Sequence, residues 1–212
     1  MARRNTHQST PGNERAILEA VLSLAVKAGY EGTTMAEVAR VSGLPVGSVY
    51  WHFENKEALF AALIDYCFEI WKQRHTGPSN PAILHEAIAG SAAASADPEN
   101  TEEAFWIIGL IFALEKRLEG NGARQRYLEV RAEMFDRIVA IVQDDLPAAA
   151  LAAEPDLARK IVMLGRALTD GFYISASAGD DIDFAEAAGL AAAAIDALVA
   201  RYADAASEKG RP

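Results

Sequence analysis

Apolar side chains recur at intervals of three and four residues along most of the chain. In the segment 14–28, for example, Ile17, Val21 and Leu24 fall on one face of a helix. Alanine is abundant, and no segment alternates apolar and polar residues as a half-buried strand does. The chain is therefore predicted to be all-α, with about nine helices. Beyond that first segment, helical patterns cover 35–41, 46–53, 56–75, 82–96, 102–118, 123–146, 155–178 and 184–206.

The most informative stretch is Thr33–Phe53, which reads TTMAEVARVSGLPVGSVYWHF and joins two short helical patterns by a tight turn. Thr34 and Glu37 have the spacing of a capping box, in which the hydroxyl and the carboxylate each accept from a backbone amide at the helix start. Gly43 can take the positive φ that such a turn needs, and Pro45 suits the first turn of the next helix. These signals predict a helix-turn-helix motif.

The second helix of this motif, residues 46–53, is predicted to have one buried face. Val49 and Phe53 are four residues apart and can anchor it to the two preceding helices. A helix of this kind fits the major groove of DNA, so its remaining side chains are candidates for DNA contact. Together with the neighbouring helix starts, the candidate DNA-binding residues are Thr34, Val46, Gly47, Ser48, Tyr50, Trp51, His52 and Lys56.

Several of these candidates suit the phosphate backbone. Thr34 offers a hydroxyl and helix N-terminal amides, which attract anions. Tyr50 and His52 have polar tips that fit phosphate oxygens and would fix the register on DNA. Lys56 places a cation in the first turn of a helix, against the macrodipole, and a phosphate contact would offset that unfavourable interaction.

Base recognition is predicted to be sparser, because the segment 46–53 contains neither Arg nor Lys. Gly47 lets the backbone approach the groove, Ser48 can donate to a base edge or a phosphate, and Val46 can touch a thymine methyl. Water-mediated contacts or DNA shape could supply further specificity. In the alternative interpretation the aromatic residues belong to the core and Lys56 is a solvated charge.

The order of first helix, capping box, Ser-Gly turn, GSVYWHF and then NKEALF resembles the DNA-binding domain of TetR-family transcriptional regulators, over roughly residues 14–75. One departure is Val46, since similar domains often carry a basic residue there. The resemblance implies a homodimeric repressor that binds a pseudo-palindromic DNA operator and releases it when a small-molecule effector fills a pocket. A ligand-independent regulator or activator is the first alternative. An all-α enzyme or carrier that retains the motif as an interaction module is the second.

The domain organisation follows from the same patterns. Residues 1–13 are polar and contain Pro and Gly, which predicts a flexible arm whose Arg3 and Arg4 could reach DNA. Residues 14–75 form the predicted DNA-binding domain, with its fourth helix bridging to the remainder. Residues 76–212, which begin with the helix-breaking TGPSNP, form the predicted ligand-binding and dimerisation domain.

The effector pocket that the resemblance implies has modest support of its own. Residues 105–114 are apolar nearly all round, which predicts a helix fully surrounded by protein. Few charges other than Arg131, Arg166 and Asp170 are expected inside, so the effector is predicted to be small and apolar or aromatic. Ordinary core packing is the alternative for each candidate wall residue. The candidate ligand-binding residues are Phe68, Trp71, Phe105, Trp106, Phe112, Tyr127, Phe135, Phe172 and Tyr173.

The last two predicted helices are rich in small residues, which lets helices approach one another closely. Two such helices from each of two chains could form a four-helix homodimer interface, although packing within one chain is the alternative. A dimer is favoured because so small a reading motif needs two half-sites for specificity. The small residues are Gly165, Thr169, Gly171, Ser175 and Ala178 on one helix, and Gly189 with its neighbouring alanines on the other.

Charge and residue usage narrow the functional class. The formal net charge is −10, yet residues 1–53 carry +1, so the acidic remainder could turn the N-terminal segment toward DNA. Cys67 is the single cysteine and is expected to be inert core, and the acidic run Asp180-Asp181-x-Asp183 is expected to be a turn and a helix cap. No membrane span, signal peptide, metal-ligand spacing or catalytic motif is visible. We expect a cytoplasmic protein that is not an enzyme and needs no cofactor or metal.

Overall fold

The computed structural model describes residues 11–74 and 101–209, and within those ranges all of the regular secondary structure is helical, which confirms the all-α prediction. Residues 1–10 of the predicted arm, with Arg3 and Arg4, and the predicted helix 82–96 lie outside the described residues, whereas Pro11, Gly12 and Asn13, also predicted as arm, belong to the first helix. A 3-10 turn, Lys116–Leu118, follows α5. The helices are α1 Pro11–Gly32, α2 Met35–Ser42, α3 Val46–His52, α4 Lys56–Arg74, α5 Thr101–Leu114, α6 Gly122–Asp145, α7 Ala148–Ala153, α8 Leu157–Ala178 and α9 Phe184–Lys209.

The described residues divide into two compact units. Residues 11–74 and 101–130 form the N-terminal unit, and residues 131–209 belong to the C-terminal unit. The helix α6 contributes its first nine residues to one unit and the rest to the other. The predicted domain boundary at residue 76 concerns which segments bind DNA and ligand, and it stays a prediction.

The core of the N-terminal unit is assembled from the apolar faces of its helices. The α1 stripe packs against α2, α4 and α5, and α2 packs against α3. Burial of each large aliphatic or aromatic side chain contributes roughly 1.5–3 kcal/mol, so this cluster dominates the stability of the unit. Its most deeply buried side chains are Ile17, Val21, Val38, Val49, Leu59, Phe60, Leu63, Ile64, Phe68 and Phe112.

The end of α1 is built around a glycine. Gly29 has φ +68° and ψ −173°, a conformation that L side chains rarely adopt, and it interrupts the helical geometry before the chain continues to Gly32. Thr33 is fully buried, and its hydroxyl donates to the carbonyl of Gly29 over 2.8 Å. This turn carries Tyr30, predicted as part of a connecting loop, into the interior, where it is 8% exposed.

In the C-terminal unit, α8 and α9 pack with the end of α6 around Leu157, Ile161 and Val162. The short helix α7 was not predicted, because its sequence AAALAA shows no polar face from which a period could be read. At the start of α9, the carboxylate of Asp183 accepts from the amides of Ala185 at 2.9 Å and Glu186 at 3.1 Å. The prediction that this acidic run contains a helix cap is thereby confirmed.

Within the two described ranges, none of the helices combines the length and the apolar character that a membrane crossing requires.

Candidate nucleic-acid interface

The helix-turn-helix motif is fixed by local signals at both ends of α2. Thr34 has extended backbone (φ −117°, ψ 153°), and its hydroxyl accepts from the amide of Glu37 over 3.2 Å. At the other end Gly43 is left-handed (φ +70°, ψ 12°), and its amide donates to the carbonyl of Ala39. Pro45 then precedes α3 and supplies no side-chain cap. The predicted Thr34 cap, the Gly43 turn and the start of α3 at Val46 are therefore confirmed. The other half of the predicted capping box is wrong, because the Glu37 carboxylate accepts from Arg40 instead.

The helix α3 has one anchored face, and its remaining side chains are largely exposed. Val49 and Phe53 are buried, as predicted, and hold α3 against the rest of the motif. Away from that face Val46 is 45% exposed, Tyr50 54% and Trp51 64%, which is far more than such side chains retain in a core. The alternative that Tyr50 and Trp51 are core residues is therefore wrong. Their contact with DNA stays a prediction.

The other predicted residues of α3 complete this surface. Gly47 is exposed, whereas Ser48 and His52 are half-buried. The imidazole of His52 lies against the indole of Trp51, with ring centroids 4.9 Å apart and planes almost perpendicular. A Cβ at Gly47 would meet nothing within 4 Å, so the fold itself does not require a glycine there. Close approach of another molecule to the backbone at Gly47 would explain why a glycine is present there.

The exposed face of α2 carries a charge pair beside the motif. The Arg40 guanidinium donates to the Glu37 carboxylate through Nε at 3.0 Å and through Nη2 at 2.5 Å. Both side chains are exposed, so solvent screens the pair and it adds little to stability. Arg40 nevertheless already forms an ion pair with a residue of its own helix, Glu37.

Lys56 has an intrachain role that the sequence did not reveal. Its ammonium donates to the carbonyl of Tyr30 over 3.0 Å, lies 4.2 Å above the Tyr30 ring and stands 3.6 Å from a carboxylate oxygen of Glu31. The end of α1 carries negative partial charge, which favours a cation there. This contact accounts for a lysine in the first turn of α4 without DNA, and the predicted phosphate contact remains untested.

Tyr30 itself was missed as a structural centre. Its ring meets the ring of Phe60 at 4.8 Å and that of Phe112 at 5.5 Å, both edge to face. Burial raises the pKa of its phenol, and the hydroxyl accepts from the side-chain amide of Asn121 at 2.9 Å. A buried tyrosine hydroxyl normally needs such a partner. The available signal was an aromatic residue placed directly after a helix-ending glycine.

Asn121 and Glu57 together cap the start of α6. The Asn121 carbonyl oxygen accepts from the amides of Ala123 at 2.9 Å and Arg124 at 3.3 Å. The Glu57 carboxylate, in the first turn of α4, accepts from the amide of Gly122. A Cβ at Gly122 would lie 2.6 Å from that carboxylate, so a larger residue there would displace the end of the Glu57 side chain. We call Tyr30, Glu57, Asn121 and Gly122 the α6 latch, because they tie α6 to α1 and α4.

The candidate pocket residues of the N-terminal unit are packed against one another. Phe105 and Phe112 lie 6.2 Å and 6.4 Å from the ring of Tyr127, and Phe68 stacks on Trp71 at 5.9 Å. All five are buried. These contacts are those expected of a hydrophobic core, so whether an effector enters among them stays a prediction.

The prediction that α5 is fully surrounded by protein is wrong. Leu114 is 65% exposed, and Trp106, Ile107, Leu110 and Ile111 are only half-buried. The physical reason is that α5 turns one face toward α1 and α4, and composition alone does not reveal that preference.

In the C-terminal unit one candidate pocket residue has charged neighbours and two have apolar ones. Phe135 lies between the guanidinium groups of Arg159 and Arg166, at 4.9 Å and 4.7 Å from its ring centroid. Tyr173 is buried against Phe184 at 5.8 Å, and Phe172 packs on α9. These positions leave the pocket prediction untested.

The predicted inward charges of this unit do meet. Arg131 forms an ion pair with Asp170, mostly shielded from solvent, and Arg166 donates to the carbonyl of Arg131 over 2.9 Å. The pair joins α6 to α8 and gives the interior of the unit a polar element.

The small residues of α8 and α9 divide between two faces. Gly165 and Thr169 are buried, and the Thr169 hydroxyl donates to the carbonyl of Gly165 over 2.9 Å, so these two do not face solvent as a dimer contact would require. Exposed apolar residues also recur about one helical turn apart along each of these two helices, and we call this set of residues the apolar strip. They are Met163, Ala167, Gly171, Ile174 and Ala178 on α8, and Gly189, Leu190, Ala193 and Ala197 on α9.

Cys67 is buried within α4. Burial raises the pKa of its thiol to about 12, so the group stays protonated and unreactive at neutral pH.

Known proteins share both the motif and the fold. The profile of the family described as "Bacterial regulatory proteins, tetR family" matches residues 17–63. The HTH-type transcriptional regulator TtgR of Pseudomonas putida is 36% identical over 66 residues, 31% of each chain. The chain thus spans less than a third of the length of such curated relatives, which are named as regulators rather than enzymes.

Two solved structures resemble the chain over most of its length. The regulator FadR from Bacillus subtilis, in complex with stearoyl-CoA, superposes with a TM-score of 0.63 at 16% identity, over 87% of this chain and 97% of that one. A TetR-family regulator from Agrobacterium tumefaciens gives 0.65 at 17% identity, over 90% and 97%. At these identities the likeness concerns the fold.

Proposed function

We propose that this chain is a transcriptional regulator of the TetR family, whose model its residues 17–63 match, and that its helix α3 enters the major groove of DNA. The observation that carries the proposal is the exposed surface of α3, where Val46, Gly47, Tyr50 and Trp51 stand clear of a core held by Val49. Large apolar side chains exposed together at the tip of a helix-turn-helix favour a contact surface over a solvated one.

Phosphate contacts would position this helix. Thr34 lies exposed at the start of α2, and the hydroxyl of Tyr50 and the imidazole of His52 stand on α3. Polar groups of this kind fix the register of the protein on the DNA without reading its sequence. Because few cations take part, we expect a shallower salt dependence of affinity than a lysine-rich reading head would give.

The operator-bound form would be a homodimer. The apolar strip includes the exposed side chains of Met163, Ile174 and Leu190 on α8 and α9. A second copy of the chain is the simplest partner that would bury them. The small residues among them would let helices of the two copies approach closely. Two reading helices held about 34–36 Å apart would match successive turns of a pseudo-palindromic operator.

We propose further that the regulator is a repressor and that a small apolar or aromatic effector releases it. A dimer on an operator that overlaps a promoter blocks transcription by excluded volume and needs no further partner. The structurally similar FadR holds stearoyl-CoA, so a fold of this kind can accommodate an apolar ligand in that protein. To release DNA, the effector must bind the released conformation more tightly than the DNA-bound one.

The α6 latch offers a route for that coupling. A shift of α6 would act directly on Glu57 in α4 and Tyr30 in α1, two of the helices that support the motif.

A ligand-independent regulator or activator is the second candidate. The observation in its favour is the close packing of Phe105, Phe112 and Tyr127, which leaves these candidate wall residues in core contact. Thermal unfolding across a panel of apolar and aromatic compounds separates the two. A stabilising compound that also weakens DNA binding supports the repressor, and a panel without any such compound favours the second candidate.

The test of DNA binding is a titration against a duplex selected by the full-length protein from a randomised library. We expect enrichment of a two-fold symmetric sequence and tight binding to it. Tyr50→Ala should weaken binding at least tenfold, since the side chain is exposed and its loss leaves the core intact. Val41→Ala, at an exposed position of α2, serves as the matched surface variant and should bind as the parent does. A library from which nothing is enriched would sink the proposal.

A further inference from the structure

The exposed surface of α3 lacks the side chains that usually recognise most bases. Guanine is read by Arg or Lys, adenine by Asn or Gln, and cytosine by Glu or Asp. The helix α3 reads VGSVYWH and contains none of these six residue types. Its Ser48, which can bond to a base edge or a phosphate, is half-buried and does not distinguish one base from another. What it does expose is the isopropyl group of Val46 and the indole of Trp51, at 45% and 64%.

The cations on the neighbouring helices are already held by the chain. Arg40 on α2 donates twice to Glu37, and Lys56 on α4 donates to the carbonyl of Tyr30 and lies above its ring. To reach a guanine, either group would have to give up these contacts. Recognition of guanine by Arg40 or Lys56, on the helices next to α3, is therefore disfavoured as well.

One base presents an apolar group in the major groove. Thymine carries a 5-methyl group there, and apolar side chains recognise it by contact. The surface of α3 suits such a contact, because Val46 in its first turn and Trp51 in its last turn are both exposed. Around Gly47, next to Val46, a Cβ would meet nothing within 4 Å, and this open space lets the helix backbone come close enough for a short side chain to touch base edges.

We infer that α3 selects its half-site through thymine methyl groups, with Val46 and Trp51 as the specificity-determining side chains. This inference rests on the proposed function and names the chemistry that the same surface recognises. It predicts half-sites rich in A·T pairs at the positions under α3. Phosphate contacts by Tyr50 and His52 would hold the register in which those methyl groups are met.

The expected effect follows from burial of single methyl groups. Removing one buried methyl weakens binding by about fourfold, since one such group is worth about as much as a buried methylene. The effect should be local to one or two thymines in each half-site. The size of the effect at each thymine should also depend on the side chain, Val46 or Trp51, that contacts its methyl group.

Single-group changes in DNA provide the test. Each thymine of the selected duplex is replaced singly by deoxyuridine, which lacks the methyl and keeps every hydrogen-bonding group. We expect about fourfold weaker binding at one or two positions of each half-site. The Val46→Ala protein should bind the parent duplex more weakly and lose the penalty at one of those positions. Val46→Ile should retain the penalty.

The matched control is Val41→Ala. Val41 lies on α2 and is 41% exposed, close to the exposure of Val46, so its truncation removes a similar surface without touching α3. With this variant the deoxyuridine penalties should be unchanged. Circular dichroism melting of all variants confirms that each is folded at the assay temperature.

Three results would overturn the inference. In the first, every deoxyuridine duplex binds as well as the parent. In the second, the penalties remain in full when Val46 and Trp51 are each replaced by Ala. In the third, 7-deazaguanine weakens binding under α3 while deoxyuridine does not, which would assign recognition to guanine. A library that yields no enriched duplex overturns the proposed function as well, so the two failures are distinguishable.

Discussion

The side-chain amide of Asn121 donates to the hydroxyl of Tyr30, which lies 91 residues earlier in the chain, over 2.9 Å. The same Asn121 caps α6 with its carbonyl oxygen, and the backbone carbonyl of the same Tyr30 holds Lys56. One tyrosine therefore connects the start of α6 with the supports of the reading helix. The helix-turn-helix motif is thus linked to α6 through Tyr30. Mutation of Tyr30 can test this link without knowledge of the effector.

Removal of the Tyr30 hydroxyl should destabilise the fold moderately. Tyr30→Phe keeps the ring contacts with Phe60 and Phe112 but leaves the Asn121 amide without this partner, which should lower the free energy of unfolding by about 1 kcal/mol. Urea denaturation measures the change. The control is Tyr50→Phe, whose hydroxyl is on an exposed side chain and whose stability should change by less than about 0.5 kcal/mol. Equal effects at the two tyrosines would contradict the role assigned to Tyr30.

Lys56 is predicted to serve both the fold and the DNA. Lys56→Met removes the donor to the Tyr30 carbonyl and should lower the free energy of unfolding by about 1 kcal/mol. If the ammonium also meets a phosphate, the slope of log affinity against log salt should become shallower by about 1. Lys116→Met, at an exposed lysine of the 3-10 turn, should leave both quantities unchanged. Lower stability with an unaltered salt slope would restrict Lys56 to its intrachain role.

The proposed dimer can be tested with two leucines of similar exposure. Leu190 on α9 is 66% exposed and Leu114 on α5 is 65% exposed, so replacement by Arg should have similar consequences for each monomer. Only Leu190 lies in the apolar strip of α8 and α9. We expect Leu190→Arg to weaken dimerisation at least tenfold in sedimentation equilibrium, because a charge would be buried at the interface. Dimers that resist Leu190→Arg but dissociate with Leu114→Arg would place the interface elsewhere.

Cys67 should be unreactive in the native protein. Burial raises the pKa of the Cys67 thiol to about 12, well above its ordinary value. At pH 8, therefore, only roughly one molecule in ten thousand carries the nucleophilic thiolate. Labelling by a disulfide reagent should therefore be slow in buffer and fast in concentrated urea, where the thiol regains an ordinary pKa. Rapid labelling of the folded protein would show that α4 opens readily or that Cys67 has another role.

The parts of the molecule that local chemistry determines were predictable from the sequence. Thr34, Gly43 and Pro45 each act on neighbouring residues, so the bounds of α2 and α3 followed from their types and spacing. Exposure of Tyr50 and Trp51 followed from the same helical period that buries Val49.

What depends on distant contacts was not predictable. The structural role of Tyr30 rests on Asn121, and no feature of residues 29–32 identifies that partner. Small side chains in α8 suggested a contact with a second chain, but Thr169 is buried within its own chain and its hydroxyl bonds to its own helix. The two faces of α5 look alike in sequence, and only the positions of α1 and α4 decide which of them is buried.

The exposed surface of α3 is proposed to bind DNA in a sequence-dependent way. Fluorescence anisotropy of the full-length protein, with its selected duplex and with a scrambled duplex at several salt concentrations, tests this directly. We expect a preference of at least about a thousandfold for the selected duplex at physiological salt. We also expect Trp51→Ala, in a protein with unchanged thermal stability, to reduce that preference. Equal affinity for both duplexes, or a preference that survives the loss of Tyr50 and Trp51 side chains undiminished, would contradict it.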